Sequence, residues 1–282
     1  MGKKITLNQK KEIIEYYKKQ PITIEKISKI FQISQPTMEK ILKEFHIKPY
    51  TKTQLFSPEL QENYFKNIDT EAKAYFLGLI ITDGCIHYSS HNSEPMLCLT
   101  MQTKDKYILE EFKRQIKSNK IITYDKRGCY NIQIISTQIV NDLKKYGVTP
   151  RKSLTIEFPK NISDIMMPHF IRGLIDGDGS ISFYSRPNRN THTKAIRMCK
   201  GNKQFLIDFT NYLHKSLNIP TVSIYQEKEN LWSIAYRQVN VLYKLIHYLY
   251  DDATIYLMRK YNICNQILTE INQYNDNTEV TI

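Results

Sequence analysis

Ile171-Arg172-Gly173-Leu174-Ile175-Asp176-Gly177-Asp178-Gly179 is an apolar run closed by an acid and a glycine. Residues 180–186 follow with the alternation of a strand. Ninety-five residues earlier the chain reads Phe76-Leu77-Gly78-Leu79-Ile80-Ile81-Thr82-Asp83-Gly84. Asp178 falls at the place of Asp83, and Gly173 at that of Gly78. A pattern repeated at such a distance predicts two similar half-domains. The copies differ where Asp176 matches Ile81. Residues two apart on a helix do not share a face. Asp176 is therefore expected to point away from whatever Asp83 and Asp178 address, as a solvated or locally hydrogen-bonded carboxylate.

Downstream of the second copy, whose helix Pro168 opens, residues 193–200 complete a strand pair. A helix over 202–217 puts Phe205 and Phe209 inward, and a hairpin joins 221–227 to 231–237. Helices over 239–250 and 253–271 follow, and a polar tail, 272–282, is expected to fray. The first copy runs in the same order. Asp69 or Thr70 caps its helix, and strands cover 85–90 and 96–102. A helix over 104–118 turns Tyr107, Ile108, Phe112 and Ile116 inward. A hairpin joins 121–125 to 130–135, and a helix over 139–146 stops at Gly147. On the first strand Ile86 and Tyr88 are expected on one face, His87 and Ser89 on the other. The fold class is α+β, two αββαββα halves at 67–147 and 164–271 joined by a connector, 148–163.

Residues 1–47 read differently. Thr6 and Gln9 form a capping box for a helix over 6–19, which Pro21 ends. Thr23 caps a helix over 24–31, and Ser34 caps the next, with Pro36 in its first turn. Met38, Ile41, Leu42 and Phe45 form that helix's inner face, leaving Gln35, Thr37, Glu39, Lys40 and Lys43 outside. Three short helices with this tight turn resemble a helix-turn-helix DNA-binding unit. Its last helix would enter the major groove behind Gln35 and Thr37, with Lys40 alongside. Residues 48–66 read as a linker.

Composition narrows the function. Over 282 residues, 40 Lys+Arg against 28 Asp+Glu leave a net charge of +12, which attracts polyanions. No apolar run reaches the ~20 residues of a membrane span, and no signal-like segment opens the chain. The five cysteines lack close pairing or metal spacing, and are expected to be reduced, mostly buried thiols of a cytoplasmic protein. No Gly-rich phosphate loop, nucleophilic Ser or Cys motif, or His-Asn-His nuclease motif occurs. Glu111-Phe112-Lys113 looks like the end of another nuclease signature, but Phe112 falls on an amphipathic helix as a core position.

With both copies laid out, residues from about 68 to 271 resemble a two-motif, single-chain LAGLIDADG homing endonuclease. The second motif is the stronger match; the first departs at Ile81 and Thr82. The resemblance implies a pseudo-twofold pair whose motif helices pack at the centre and whose two sheets form a saddle over DNA. It also implies a polar residue at the end of each second strand, here Gln102 and Lys200, and a basic one near each last strand. Arg237 stands there in the second half; only Ser136 or Thr137 stands there in the first.

The residues support that carry-over physically. A mid-helix glycine costs about 1 kcal/mol against alanine, which a close helix–helix approach at Gly78 and Gly173 would offset. Such packing places Asp83 and Asp178 side by side at two negative helix ends, an unfavourable arrangement for carboxylates. Mg²⁺, with Mn²⁺ able to substitute, resolves the conflict and suits phosphodiester hydrolysis, one strand per acid. DNA contacts are expected on the sheet faces opposite the apolar ones: His87, Ser89, Asn131, Gln133, Ser182, Tyr184, Arg186, Arg197, Ser233 and Arg237, with Arg189, His192 and Lys194 on or beside the loop between the fifth and sixth strands. Two unlike halves imply a monomer on a long, asymmetric double-stranded target. The alternatives are a non-cleaving transcription regulator on the same scaffold, a maturase for intron RNA, or acids that merely cap turns. The N-terminal unit favours DNA, since the A-form major groove does not admit side chains.

Overall fold

The computed structural model describes residues 5–88, 94–185 and 192–279. By contacts the chain divides into two compact units: Met1–Gln61 with Lys117–Lys120, and Glu62–Ile116 with Ile121–Ile282.

In the first unit, α1 (Leu7–Lys19) starts at Thr6, whose capping box with Gln9 is complete. Thr23 caps α2 (Ile24–Ile30), and Ser34 caps α3 (Gln35–Glu44). Ile13, Ile14, Tyr17, Ile27, Met38, Ile41 and Leu42 form the core, and Phe31, rather than the exposed Ile30, completes the α2 stripe. The stretch read as a linker has structure of its own. Tyr50 donates its amide to the Tyr17 hydroxyl at 3.0 Å, and a capped helix, α4 (Lys52–Phe56), follows. Asn119 joins this unit through Phe56 O at 2.7 Å and the Ser57 hydroxyl at 2.8 Å.

The second unit holds both halves. The first contains α5 (Glu71–Asp83), β1 (Gly84–Tyr88), β2 (Pro95–Gln102), α6 (Lys106–Gln115), β3 (Thr123–Tyr124), β4 (Cys129–Ile135) and α7 (Thr137–Lys144). The second contains α8 (Met167–Asp178), β5 (Gly179–Ser185), β6 (His192–Lys200), α9 (Lys203–Leu217), β7 (Tyr225–Lys228), β8 (Leu231–Tyr236), α10 (Val239–Tyr250) and α11 (Met258–Glu279). Each half carries a four-stranded antiparallel sheet, ordered β1-β2-β4-β3 and β5-β6-β8-β7. One face of each sheet is apolar, with Ile86, Leu97, Leu99 and Ile132 in the first and Ile181, Ile196 and Ile234 in the second. The other face is open.

The differences from the sequence reading have local causes. Tyr64 and Phe65, placed in the linker, are buried, with Phe65 against Phe112. Leu109 takes the inward place expected of Tyr107, whose hydroxyl instead donates to Tyr256 O at 3.1 Å and accepts from Met258 N at 2.7 Å. Tyr88 is exposed, because β1 leaves the core after Ile86. Strand β7 begins at Tyr225 rather than residue 221. Helix α11 continues through Glu279, so most of the tail expected to fray is helical. Only Cys264 is buried; Cys85 is exposed and Cys98, Cys129 and Cys199 are half-buried. No helix among the described residues is long and apolar enough to cross a membrane.

Candidate active site

Helices α5 and α8 meet at their glycines. A Cβ at Gly78 would fall inside van der Waals contact of Phe170 O and lie 2.9 Å from Leu174 N; one at Gly173 would collide with Tyr75 O and lie 3.0 Å from Leu79 N. The collisions are reciprocal and involve backbone. Gly177 is equally crowded by the Thr82 side chain and by Asp83 Oδ2. The two C-termini thus arrive together, and each turns into a strand at the next glycine, Gly84 or Gly179.

Asp83 and Asp178 end these helices. Although much of its surface stays open, Asp83 has its carboxyl pushed up to about 6, first by burial and then by the charge of Asp178. The Thr82 hydroxyl, 3.3 Å away, opposes this, as do Lys260 and Lys200. Asp178 is treated differently: Lys200 Nζ, itself buried, lies 2.6 Å from its Oδ2. Gln102, which ends β2, is exposed and uncharged; by register the place of Lys200 falls to Met101, and Gln102 sits on the open face instead.

Two further lysines reach the site from outside the motifs. Lys152, in a 3₁₀ turn of the connector, is buried and donates to Gly84 O. Lys260, in α11, is buried and donates at 2.6 Å to Ile175 O, Asp176 O and Gly179 O. Gly84 and Gly179 are equivalent, so the two halves hold their helix ends alike. A cation at a helix C-terminus satisfies orphan carbonyls and offsets the dipole. Burial pulls the Lys260 ammonium down to about 8, and burial followed by the charge of Lys200 lowers Lys152. Neither lysine was found from the sequence. The signal was an echo: Arg151-Lys152 follows α7, and Arg259-Lys260 follows α10, its counterpart in the second half.

Asp176 does point away from the paired acids, as its position requires, but it is not solvated. It is 1% exposed. Its Oδ2 accepts from the Tyr75 hydroxyl and from Leu257 N, each at 2.8 Å, and its Oδ1 has no partner among the described residues. Beside it the fully buried Arg172 donates to Ile255 O (2.8 Å), Leu249 O (2.7 Å) and Glu71 Oε1 (2.5 Å). Glu71 also accepts from Thr254 N at 2.7 Å. This polar network ties the α10–α11 link to both motif helices.

Burial, the largest cause, pushes the Asp176 carboxyl up to about 6 from its ordinary 3.8. Between those values the native state holds the proton and the unfolded chain does not, so stability falls as pH rises through the window. The loss from Asp176 is as much as about 3 kcal/mol. Asp83 acts in the same direction. Between pH ~4 and ~6.5 the urea midpoint of wild type should therefore lose ground to that of Asp176→Asn. Equal slopes would contradict a buried, titrating Asp176.

The remaining candidates divide. Tyr236, ending β8, pairs with Ile196, whereas Lys200 pairs with Trp232. Arg237 therefore lies beyond the far end of β8 from the acids, and the structure does not bring it to them. Ser136 caps α7 and donates to Glu62 at 2.7 Å. His192 and Lys194 are not on the open face. Lys194 pairs with Phe183 on the apolar side, and the His192 and Lys194 side chains hold Glu270 of α11 at 2.7 and 2.6 Å, a long-range partner with no local sequence signal.

The first sheet's open face carries His87, Asn131 and Gln133, with Asn131 Oδ1 3.0 Å from the Thr123 hydroxyl. The second carries Ser182, Tyr184 and Arg197. Arg197 is paired at 2.6 Å with Glu227, which also accepts from the buried Ser233. In α3, Gln35 and Lys40 are exposed, while Thr37 is half-buried with its hydroxyl 2.7 Å from Ser34 Oγ. Ser89, Arg186 and Arg189 lie outside the described residues.

No protein-family model and no curated protein matches the chain. Solved structures do. The LAGLIDADG meganuclease I-AabMI, bound to uncleaved DNA, is similar at a TM-score of 0.53 and 14% identity, over 72% of this chain and 91% of that one. The LAGLIDADG homing endonuclease I-LtrWI, bound to target DNA, gives 0.53 and 14% over 74% and 92%. The LAGLIDADG homing endonuclease I-SmaMI, bound to cleaved DNA, gives 0.51 and 13% over 74% and 91%. With two glycine-packed motif helices between two four-stranded sheets, the chain has the fold of the LAGLIDADG homing endonucleases.

Proposed function

We propose that this protein is a site-specific, divalent-metal-dependent endonuclease that cuts double-stranded DNA. The observation that carries the reading is the pair Asp83 and Asp178, set together at the ends of close-packed helices and ringed by Lys152, Lys200 and Lys260. The solved proteins of this fold that are bound to DNA support DNA as the substrate. So does the +12 net charge.

The donor set suits Mg²⁺ or Mn²⁺. Two carboxylates at adjacent negative helix ends form an oxygen-rich site, and Asp83 is raised by burial and then by the charge of Asp178, a repulsion that a cation would relieve. Bound there, the metal would lower the pKa of a water and stabilise the leaving oxygen. Asp83 and Asp178 would hold it. Lys200 keeps Asp178 oriented and brings positive charge to where a phosphate would lie. Lys152 and Lys260 hold the backbone just past each acid, so each carboxylate leaves its helix at a set angle. The open sheet faces would contact the duplex on either side. Two unlike halves in one chain fit a monomer on an asymmetric target.

The N-terminal unit fits a second DNA contact, made by α3. With a slope of about −0.9 per phosphate neutralised, Lys40→Ala should flatten the plot of log affinity against log salt by about one unit, if Lys40 holds a phosphate. Gln35→Ala should weaken specific binding and leave the slope alone. An unchanged slope for Lys40→Ala would remove α3 from the interface.

The test of the whole reading is cleavage of DNA bearing the gene's own flanks with the insertion removed, in Mg²⁺ and in EDTA. A discrete, Mg²⁺-dependent double-strand cut supports it. Tight specific binding without a cut in either Mg²⁺ or Mn²⁺ would favour a regulator.

A further inference from the structure

Cys85 and Cys98 stand directly opposite one another on β1 and β2. Side chains of directly opposed residues project to the same face, here the open face that also carries His87. The two thiols are in hydrogen-bond contact, and Cys85 Sγ lies 3.0 Å from His87 Nε2. Cys85 is exposed and Cys98 half-buried, so one sulfur of the pair is open to a reagent from solution. Directly opposed antiparallel residues have Cα atoms about 4.5–5.5 Å apart, inside the range of about 4.4–6.8 Å that a disulfide bridges. By that spacing the pair lies within bridging range.

Two features separate this pair from incidental cysteines. Among the described residues, no three His, Cys, Asp or Glu side chains converge as a ligand set, so the pair is a dithiol rather than part of a metal clasp. The equivalent strand pair of the second half carries Ser180 opposite Arg197, so the dithiol belongs to one half alone. It also adjoins the site: Cys85 follows Gly84, whose carbonyl Lys152 holds, and Asp83 precedes that glycine.

We propose that Cys85 and Cys98 are a site of reversible oxidative modification, forming a cross-strand disulfide when the protein meets a peroxide, and that the disulfide weakens the grip of this half on DNA. The Cys85 sulfur attacks a peroxide oxygen, the O–O bond breaks, and the leaving hydroxide takes a proton to become water. Cys98 then attacks the resulting sulfenic sulfur, the S–O bond breaks, and a second water leaves. The two cysteines lose two electrons and the peroxide gains them. Bond formation draws the sulfurs together and takes Cys85 from its contact with His87, which changes the open face where it would meet the duplex. This second part rests on the endonuclease reading above; the first does not.

The experiment uses the full chain. Hydrogen peroxide is added, remaining thiols are blocked, and peptides are mapped by mass without reduction. The expected product is one linked pair, Cys85 to Cys98, with a loss of two hydrogens, reversed by dithiothreitol and absent in Cys98→Ser. In that variant Cys85 should accumulate as a sulfenic acid that a 1,3-diketone captures. A link to Cys129, or oxidation that spares both residues, overturns the proposal. DNA affinity is read on the same samples. A roughly tenfold weakening on oxidation, restored by dithiothreitol and missing in Cys98→Ser, is expected. A mapped disulfide with unchanged affinity overturns the control assigned to it. If the reduced wild type neither binds nor cuts DNA, the endonuclease reading fails while the peptide map still decides the modification.

Discussion

Asp178→Asn should lower the rate of double-strand cleavage by about 10³-fold or more while the protein stays folded and bound to DNA. Metal-assisted hydrolysis draws several kcal/mol of transition-state stabilisation from the ion, and about 4 kcal/mol corresponds to that factor. Asparagine has nearly the same shape and still offers an oxygen to Lys200, which is buried 2.6 Å from the present carboxylate. What is lost is charge, and with it the grip on a divalent cation. Asp83→Asn should fall comparably, and it should also stabilise the fold slightly at neutral pH, because it removes a carboxylate that burial and Asp178 hold unwillingly ionised. Cleavage kinetics on supercoiled DNA, with filter binding alongside, check both. A variant that still linearises DNA at the wild-type rate would remove the acids from the chemistry.

The second large effect concerns the helix contact. Gly173→Ala should destabilise the protein by about 3 kcal/mol or more, and Gly78→Ala should match it. Two terms compete. Alanine improves a helix interior by about 1 kcal/mol over glycine, which would stabilise an ordinary helix. Against it stands overpacking, typically about 1–3 kcal/mol and occasionally more. Here the obstructing atoms are backbone: Tyr75 O and Leu79 N for Gly173, Phe170 O and Leu174 N for Gly78. Backbone in a packed helix cannot rotate aside as a side-chain end can, so overpacking wins. Urea unfolding measures it. A neutral or stabilising alanine would mean that the helices part without cost, and that glycine is not what sets the spacing of the acids.

Those glycines and acids were legible because the motif is local and occurs twice. Gly78 and Gly173 stood mid-helix with a known penalty, and Asp83 and Asp178 closed two apolar runs. Most helices and strands followed from caps and alternation, as at Thr6, Thr23, Ser34 and Gly147. What escaped depends on contacts between distant parts of the chain. Lys152 and Lys260 reach the motif ends from the connector and from α11, and their Arg-Lys echo was hidden because its spacing differs from that of the motifs. Lys194 was read as a DNA contact at the loop between the fifth and sixth strands because nothing local in the sequence reveals Glu270 of α11. Asp176 was read as a solvated or locally hydrogen-bonded carboxylate because nothing near it in sequence announces the amide of Leu257.

The buried network around Arg172 bears on how the molecule is made. Glu71, at the start of the first motif helix, is held by the backbone of Thr254 and Ile255, and the carbonyls closing the second motif helix are held by Lys260. These partners join residues made earlier in synthesis to residues made about 80 to 180 positions later. A nascent chain can assemble the N-terminal unit long before that, since its core lies within the first fifty residues. The Asp83–Asp178 pair is not locked until α11 has left the ribosome. The protein therefore emerges with its N-terminal unit ready and its acid pair unclasped, and a chain that stops short of α11 lacks the lysine that holds the end of the second motif helix.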